Sequence, residues 1–348
     1  MRLALIYLLW NQSLSQPTSP FINRRQLLKA SLVAGIASSV GAWAWSQRQT
    51  FAPQPAQSSV KIPPIPPDAM LHGNDISPMV MLREFDYGTV TQENGRIVRE
   101  FRVTAESGAL QLNKATKFIT WNLNGRVPAP TLRATQGDRI RVIFQNKAGH
   151  SHSLHFHGVH PANMDGVKPV RNDQVFIYEF DAEPYGVHLY HCHVEPVTRH
   201  VGKGLYGMFI IDPPTPRSPA DEIVLIMAGY DINNDKKNEL YAFNGIPHYY
   251  MHHPIPIQQD QVIRAYVLNM IEFDNAATFH LHANLFNVNP TGRSLTPTGY
   301  ETDVITMGTA ERHILEFKFH HTGKFMFHPH QDYMAEAGCM GYFDVIGT

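Results

Sequence analysis

The sequence predicts an all-β protein made of two copies of one sandwich or barrel domain. Three observations predict it: hydrophobic patterns of period two from about residue 97 onward, no long amphipathic helix pattern between them, and motifs that recur in the second half of the chain. The predicted strands are Ile97–Ala105, Arg139–Asn146, Gln174–Asp181, Val187–His191, Glu222–Ala228, Gln261–Asn269, His313–Phe319 and Lys324–His328. They are short, rich in β-branched and aromatic residues, and bounded by Gly, Pro, Asn and Asp. The 348 residues suit two domains. With 43% hydrophobic and 17% charged residues the chain can bury a core, and 29 Lys+Arg against 30 Asp+Glu leave no basic field for nucleic acid. Two cysteines cannot make a disulfide framework, whereas 20 histidines supply the commonest protein metal ligand.

The first element is an address. Asn23-Arg24-Arg25-Gln26-Leu27-Leu28-Lys29 precedes the apolar stretch Ala30–Val40 and Ala42-Trp43-Ala44, which resembles a twin-arginine export signal. Residues 1–44 are therefore expected to form a signal with cleavage after Ala44, giving a periplasmic or extracellular protein. The stretch to Trp45 is shorter than the roughly 20 residues a spanning helix needs. Residues 45–77, with the run from Ala52 to Pro67, read as a semi-rigid Pro-rich linker. Domains are expected at 78–215 and 216–348, joined through Asp212-Pro213-Pro214-Thr215-Pro216.

The repeat carries the chemistry. His155-Phe156-His157 and His280-Leu281-His282 are 125 residues apart, and Gly186…Tyr190-His191-Cys192-His193 and Gly323…Phe327-His328-Pro329-His330 are 137 apart, so twelve residues are inserted between the motifs in the second copy. Similar strands, from Asp138 to Phe144 and from Asp260 to Tyr266, precede the first motif of each copy. On a strand, residues i and i+2 share a face, so each His-x-His offers two imidazoles in one direction. Cys192 then faces the opposite way, towards the candidate partners His152 and His200. Two imidazoles and one thiolate are the ligand set of a blue-copper electron-transfer site. In the second copy the corresponding offsets lead to Ala277, Pro329 and Ala337, so that site is missing while the four paired histidines remain.

In these motifs the sequence resembles a multicopper oxidase of the small two-domain laccase type, from about residue 97 to the C-terminus. The resemblance implies two tandem cupredoxin-like Greek-key domains and four coppers per chain. It implies type 1 ligation by His152, Cys192 and His200, type 2 ligation by His155 and His280, and type 3 ligation by His157, His191, His193, His282, His328 and His330. Leu205 takes the family's axial position, with Met208 as its rival. Asp165 resembles the acidic residue near the type 2 copper and Glu195 the proton donor beside the type 3 pair. The resemblance also implies a homotrimer whose three-copper sites lie between neighbouring chains, with O2 as acceptor and a small phenolic or aromatic-amine donor. The alternatives are a cuprous oxidase, a copper nitrite reductase or a copper-storage protein. Cys339 reads as a buried small hydrophobe. The stretch His248-Tyr249-Tyr250-Met251-His252-His253 receives no role.

Overall fold

The structure is a computed structural model that describes residues 60–61, 63–64, 76–298 and 300–347. The export signal and most of the Pro-rich linker read from the sequence lie outside the described residues.

Each half of the described chain is a two-sheet β-sandwich. In the first half, one sheet runs Phe85–Asp86, Thr131–Thr135, Tyr206–Asp212, Gly186–His191, His155–Phe156. The other runs Thr89–Glu93, Arg96–Gln111, Arg139–Asn146, Val175–Asp181, with Lys117–Leu123 also paired to Arg96–Gln111. The second half repeats the plan. One sheet runs Ile255–Gln258, Gly341–Ile346, Gly323–His328, Ala276–Leu281, Val304–Gly308, and the other Leu240–Phe243, Asp221–Tyr230, Ile263–Asn269, Arg312–Phe317, Phe286–Pro290, Tyr300–Thr302. Both halves carry matching parallel pairs. Thr131–Thr135 lies parallel to Tyr206–Asp212 as Ile255–Gln258 does to Gly341–Ile346, and Arg96–Gln111 pairs with Arg139–Asn146 as Asp221–Tyr230 does with Ile263–Asn269. Tight hairpins give only antiparallel neighbours, so these pairs require crossovers between the two sheets.

The twelve extra residues of the second copy fall between His282 and Arg312, where the strands Phe286–Pro290 and Tyr300–Thr302 form an added antiparallel pair. A second length difference was hidden by the constant offset of 137. Gly207 stands opposite Tyr190, whereas Gly341 stands opposite Phe327, so the loop after the second motif is three residues shorter in the second half. Ala337 is thus only an approximate counterpart of His200. Neither His nor Cys occupies residues 334–337, so the absence of that ligand stands.

Gly186–His191 positions the chemistry. It has no charged residue apart from its histidines, and all six positions are buried. Its alternation sends Val187 and Leu189 into a core shared with the second half, and Tyr190, followed by Cys192, into the core of the first. Burial of both faces fixes the register, because a slip of one residue would exchange them. The halves are also tied by polar contacts. The Arg312 Nε–H donates to Val187 O at 3.0 Å and the Val187 N–H to Thr291 O at 2.8 Å. Buried Arg133 holds Asp212 at 2.8 Å and Glu222 at 2.7 Å across the junction. Helices are short, and among the described residues none is long and apolar enough to cross a membrane.

Candidate metal centre

Cys192 leaves the end of its strand into the first core, where its N–H donates to Leu205 O at 3.0 Å. His152 enters from a loop pinned to Val170 by two backbone hydrogen bonds of 3.0 and 2.8 Å, and buried Asn146 donates to the carbonyls of His150 and Val170 at 2.7 and 2.8 Å. His200 comes from the short helix Val197–Gly202. The chain returns from that helix through Gly204, at φ +112°, where a Cβ would stand 2.4 Å from Val127. All three side chains are buried. Cys192 Sγ lies 3.2 Å from His200 Nδ1 and 3.5 Å from His152 Nδ1, and the two Nδ1 atoms are 3.1 Å apart. Donors held about 2.0–2.3 Å from one ion would lie roughly 3.3–3.8 Å from each other; one pair falls in that range and two are slightly closer, so the three atoms converge on one point and would spread a little around an ion. Burial, with neighbouring imidazoles, pushes His152 down to about 3 and His200 to about 4, which keeps both neutral and ligand-ready. Burial pushes the Cys192 thiol up, opposed by N–H groups of Val194 and Ser153. One soft thiolate with two imidazoles suits copper.

Leu205 and Met208 separate cleanly. Leu205 belongs to the buried cluster that contains Cys192, while Met208, opposite Leu189, belongs to the core shared with the second half. Strand alternation thus turns Met208 away from the thiolate.

The eight paired histidines form two constellations with nearly the same internal geometry. In the first half, ring centroids are separated by 5.1 Å for His155 and His157, 5.3 Å for His155 and His191, 5.2 Å for His155 and His193, and 6.0 Å for His191 and His193. The corresponding values in the second half are 4.9 Å for His280 and His282, 5.4 Å for His280 and His328, 5.0 Å for His280 and His330, and 6.0 Å for His328 and His330. Their tautomers are set alike. His155 Nδ1–H donates to Asp165 O and His280 Nδ1–H to Asp303 O, both at 2.8 Å, while His191 Nδ1–H donates to Cys192 O at 2.9 Å and His328 Nδ1–H to Pro329 O at 2.7 Å. A backbone acceptor on one ring nitrogen leaves the other free for a metal. The freed Nε2 of His191 lies 3.3 Å from His157 Nε2, and that of His328 lies 2.9 Å from His282 Nε2. Burial lowers His157 to about 3 and His191 to about 4, and it also lowers His282 and His328.

The two constellations do not meet. Among the described residues, no hydrogen bond, ring contact or ligand group joins a histidine of one to a histidine of the other. His193, His282 and His330 are exposed in the single chain.

Asp165 stands at His155, with a carboxylate oxygen 3.1 Å from Nδ1. The next residue, Gly166, has φ +76°, and a Cβ there would come within 2.1 Å of Leu154 O, so the turn requires glycine. Glu195 is exposed and, among the described residues, has no hydrogen bond or ion pair to any of the eight histidines. Sequence reading missed three residues here. Asp303 is the second-half counterpart of Asp165, with a carboxylate oxygen 3.9 Å from His280 Nδ1. His160 lies 3.7 Å from Asp165. His150 Nδ1 lies 3.2 Å from His152 Nε2. Asp303 lies beyond the inserted hairpin, which hides its spacing, but His150 could have been noticed as part of His150-x-His152.

Comparison with known proteins agrees with this arrangement. The multicopper oxidase family signature matches residues 104–216 and again residues 217–347. A crystal structure of a multicopper oxidase superposes with a TM-score of 0.77 at 42% identity, over 78% of this chain and 98% of that one. Copper resistance protein A of Escherichia coli is 25% identical over 238 residues, 64% of this chain, which spans 33% of that relative's length. A copper-containing nitrite reductase of Neisseria meningitidis is 23% identical over 268 residues, 69% of this chain and 67% of the relative. Both halves of the described sandwich pair fall within one family, and each half carries a constellation of four histidines. The chain is built of two tandem cupredoxin-like domains and belongs to the multicopper oxidase family.

Proposed function

We propose that the protein is a laccase-like oxidase that couples one-electron oxidation of small aromatic donors to the four-electron reduction of O2 to water. The observation that carries this reading is the pair of matching four-histidine half-sites, one of which flanks the buried thiolate cluster. His152, Cys192 and His200 would hold a type 1 copper, with Leu205 buried in the same cluster as Cys192. His155 and His280 would hold a type 2 copper, and His157, His191, His193, His282, His328 and His330 a type 3 pair, four coppers per chain in all. Bound copper would supply one-electron transfer at the thiolate site and O2 reduction at the histidine cluster.

The protein contributes the path and the proton donors. Cys192 is covalently joined to His191 and His193, so the buried thiolate cluster is one residue from the ligands of the other. Asp165 is placed to hold and orient His155, and as a carboxylate at the rim of the cluster it can pass protons to reduced oxygen. Glu195 is proposed as a second proton donor. Because the half-sites of one chain stay apart, we infer that first-domain histidines of one chain face second-domain histidines of its neighbour. A head-to-tail ring closes that contact, and the proposed ring is a homotrimer. The Arg24-Arg25 segment supports export by the twin-arginine route to the periplasm or beyond.

Oxygen uptake with a panel of phenols, aromatic amines, Cu(I), Fe(II) and Mn(II), together with copper content per chain and mass in solution, tests the proposal. The expected result is phenol-dependent O2 consumption by a trimer with four coppers per chain. Uptake with Cu(I) alone would replace laccase by cuprous oxidase. Nitrite reduction without O2 uptake, or copper binding without turnover, would overturn the reading.

A further inference from the structure

Beside the thiolate site the surface carries a groove of about 290 Å3 that no copper ligand lines. Strand Lys117–Leu123 contributes Lys117, Ile119 and Trp121, and the helix that carries His200 contributes Arg199, with Lys203 at its end. The Trp121 ring centre is 4.9 Å from that of His200 and 5.7 Å from that of His152. Arg199 lies over the same indole at 5.4 Å, and Lys203 Nζ sits 4.2 Å from the Phe118 ring centre. Lys117, Arg199 and Ile119 are exposed. Among the described residues none of the three cations is in an ion pair. Burial holds Lys203 below the usual lysine range, Asp231 opposes this, and the nearby Arg199 reinforces it. The groove lining contains no carboxylate, thioether or imidazole.

These features select a ligand class. A flat indole beside a buried imidazole favours an aromatic ring, which packs in offset-stacked or edge-to-face geometry. The lining holds three cations and no carboxylate, while the acid group Asp231, Asp235 and Glu239 belongs to the loop that supplies Ile232 and Asn234; the lining favours an anion, and guanidinium presents the fork that matches a carboxylate. A metal cation or an aromatic ammonium would meet like charge from the three lining cations. The volume lies at the lower end of small-molecule sites and suits one ring with a short substituent.

We propose that this groove is the donor site and that it takes a phenol bearing a carboxylate, with the ring against Trp121 and the carboxylate among Arg199, Lys203 and Lys117. This rests on the laccase-like reading and narrows its substrate class. The bound ring lies one side chain from His200. Each donor loses one electron and releases its phenolic proton to water. Four such events match the four electrons and four protons that turn one O2 into two waters.

The test compares the copper-loaded protein on three phenols with the same ring: the carboxylate, its uncharged methyl ester, and a trimethylammonium analogue. The carboxylate should show a KM about tenfold below that of the ester, equivalent to about 1.4 kcal/mol, and the ammonium a higher KM than either. In Arg199→Gln/Lys203→Gln, and separately in the exposed Lys117→Gln, the gap should shrink through KM with kcat little moved. Thiolate absorption and copper content report that the fold persists. A readout free of turnover is quenching of Trp fluorescence by 4-methoxybenzoate, which should saturate in the parent and be lost in Arg199→Gln/Lys203→Gln, where Trp121 remains as the reporter. Equal KM for carboxylate and ester, a gap that survives all three substitutions, or a preference confined to acidic polypeptides would overturn the groove assignment. If no phenol of any charge drives O2 uptake, the laccase reading fails instead, and the methoxybenzoate titration still decides the groove.

Discussion

The two halves share a sheet plan and a four-histidine constellation, yet only the first keeps a thiolate site. Where His152 and Cys192 stand in the first half, the second has Ala277 and Pro329, both buried, and Ala277 lies in the hydrophobic core. The second half therefore filled its cavity with apolar atoms, which costs nothing in desolvated polar groups. The first half retained two buried imidazoles and a buried thiol, which lower stability unless they are satisfied by one another or by a metal. The difference separates two demands. In the proposed oxidase, histidines at the rim are needed from both halves, and the thiolate is needed once.

The sharpest way to break the comparison is to disable one rim at a time. His155→Ala plus His157→Ala, and separately His280→Ala plus His282→Ala, should each abolish O2 uptake, although one acts on a half with a thiolate site and the other does not. Co-refolding the two inactive variants with copper should restore part of the activity, because some interfaces then join an intact first domain to an intact second domain. If mass analysis shows mixed oligomers and activity stays absent, the site is not shared between chains.

A thiolate moved between the halves gives the next largest effect. Cys192→Ser should remove the intense thiolate-to-copper absorption and donor oxidation while leaving three coppers per chain. Pro329→Cys should create no such absorption, since Ala277 and residues 334–337 offer no imidazole to share the ion. Retention of blue colour and turnover in Cys192→Ser would break the assignment of the site.

Acid should act most strongly on the first half. His152 and His157 are held near 3 and His191 and His200 near 4, all below the ordinary value of about 6.5. The unfolded chain takes up protons that the folded copper-free protein refuses. Stability is therefore fully present above about pH 6.5 and is lost as pH falls through 4 towards 3. A fall in Tm of roughly 5–10 °C between pH 7 and pH 4 is expected for the copper-free protein. Substituting His152 and His200 by Ala, as the second half does at Ala277 and near Ala337, should flatten that dependence.

The smallest expected effect distinguishes Leu205 from Met208. Leu205→Met should lower the potential of the thiolate site by roughly 60 mV, a factor of ten for a one-electron couple, because a thioether is a weak axial ligand. Met208→Leu should leave it unchanged, since that side chain packs into the other core. Redox titration of the blue absorption measures both.

Much of this was legible in residues 97–348. The strand Arg139–Asn146 is read to its ends because Ile140, Val142 and Phe144 alternate with polar residues over a half-buried surface. Phe85–Asp86, Thr89–Glu93 and Tyr300–Thr302 were not read, because short edge strands with little burial carry no hydrophobic period. The clustering of the paired histidines was legible for a local reason, since period-two geometry makes i and i+2 neighbours on a strand. Asp303 was not, because its partner His280 is reached across the inserted hairpin.

The sequence by itself determined which atoms are available: a duplicated set of imidazoles, a single thiolate between two of them, and an all-β frame. These depend on spacing within one strand or on counting across the repeat. Tertiary structure decided what spacing cannot. It brought His152, Cys192 and His200 within 3.5 Å of one another from a loop, a strand end and a helix, and turned Met208 out of that site. It set Trp121 from one strand against Arg199 from a distant helix. It also kept the two histidine constellations of one chain apart, because each is anchored to its own sheet, and burial of both faces of Gly186–His191 leaves that sheet no freedom to turn.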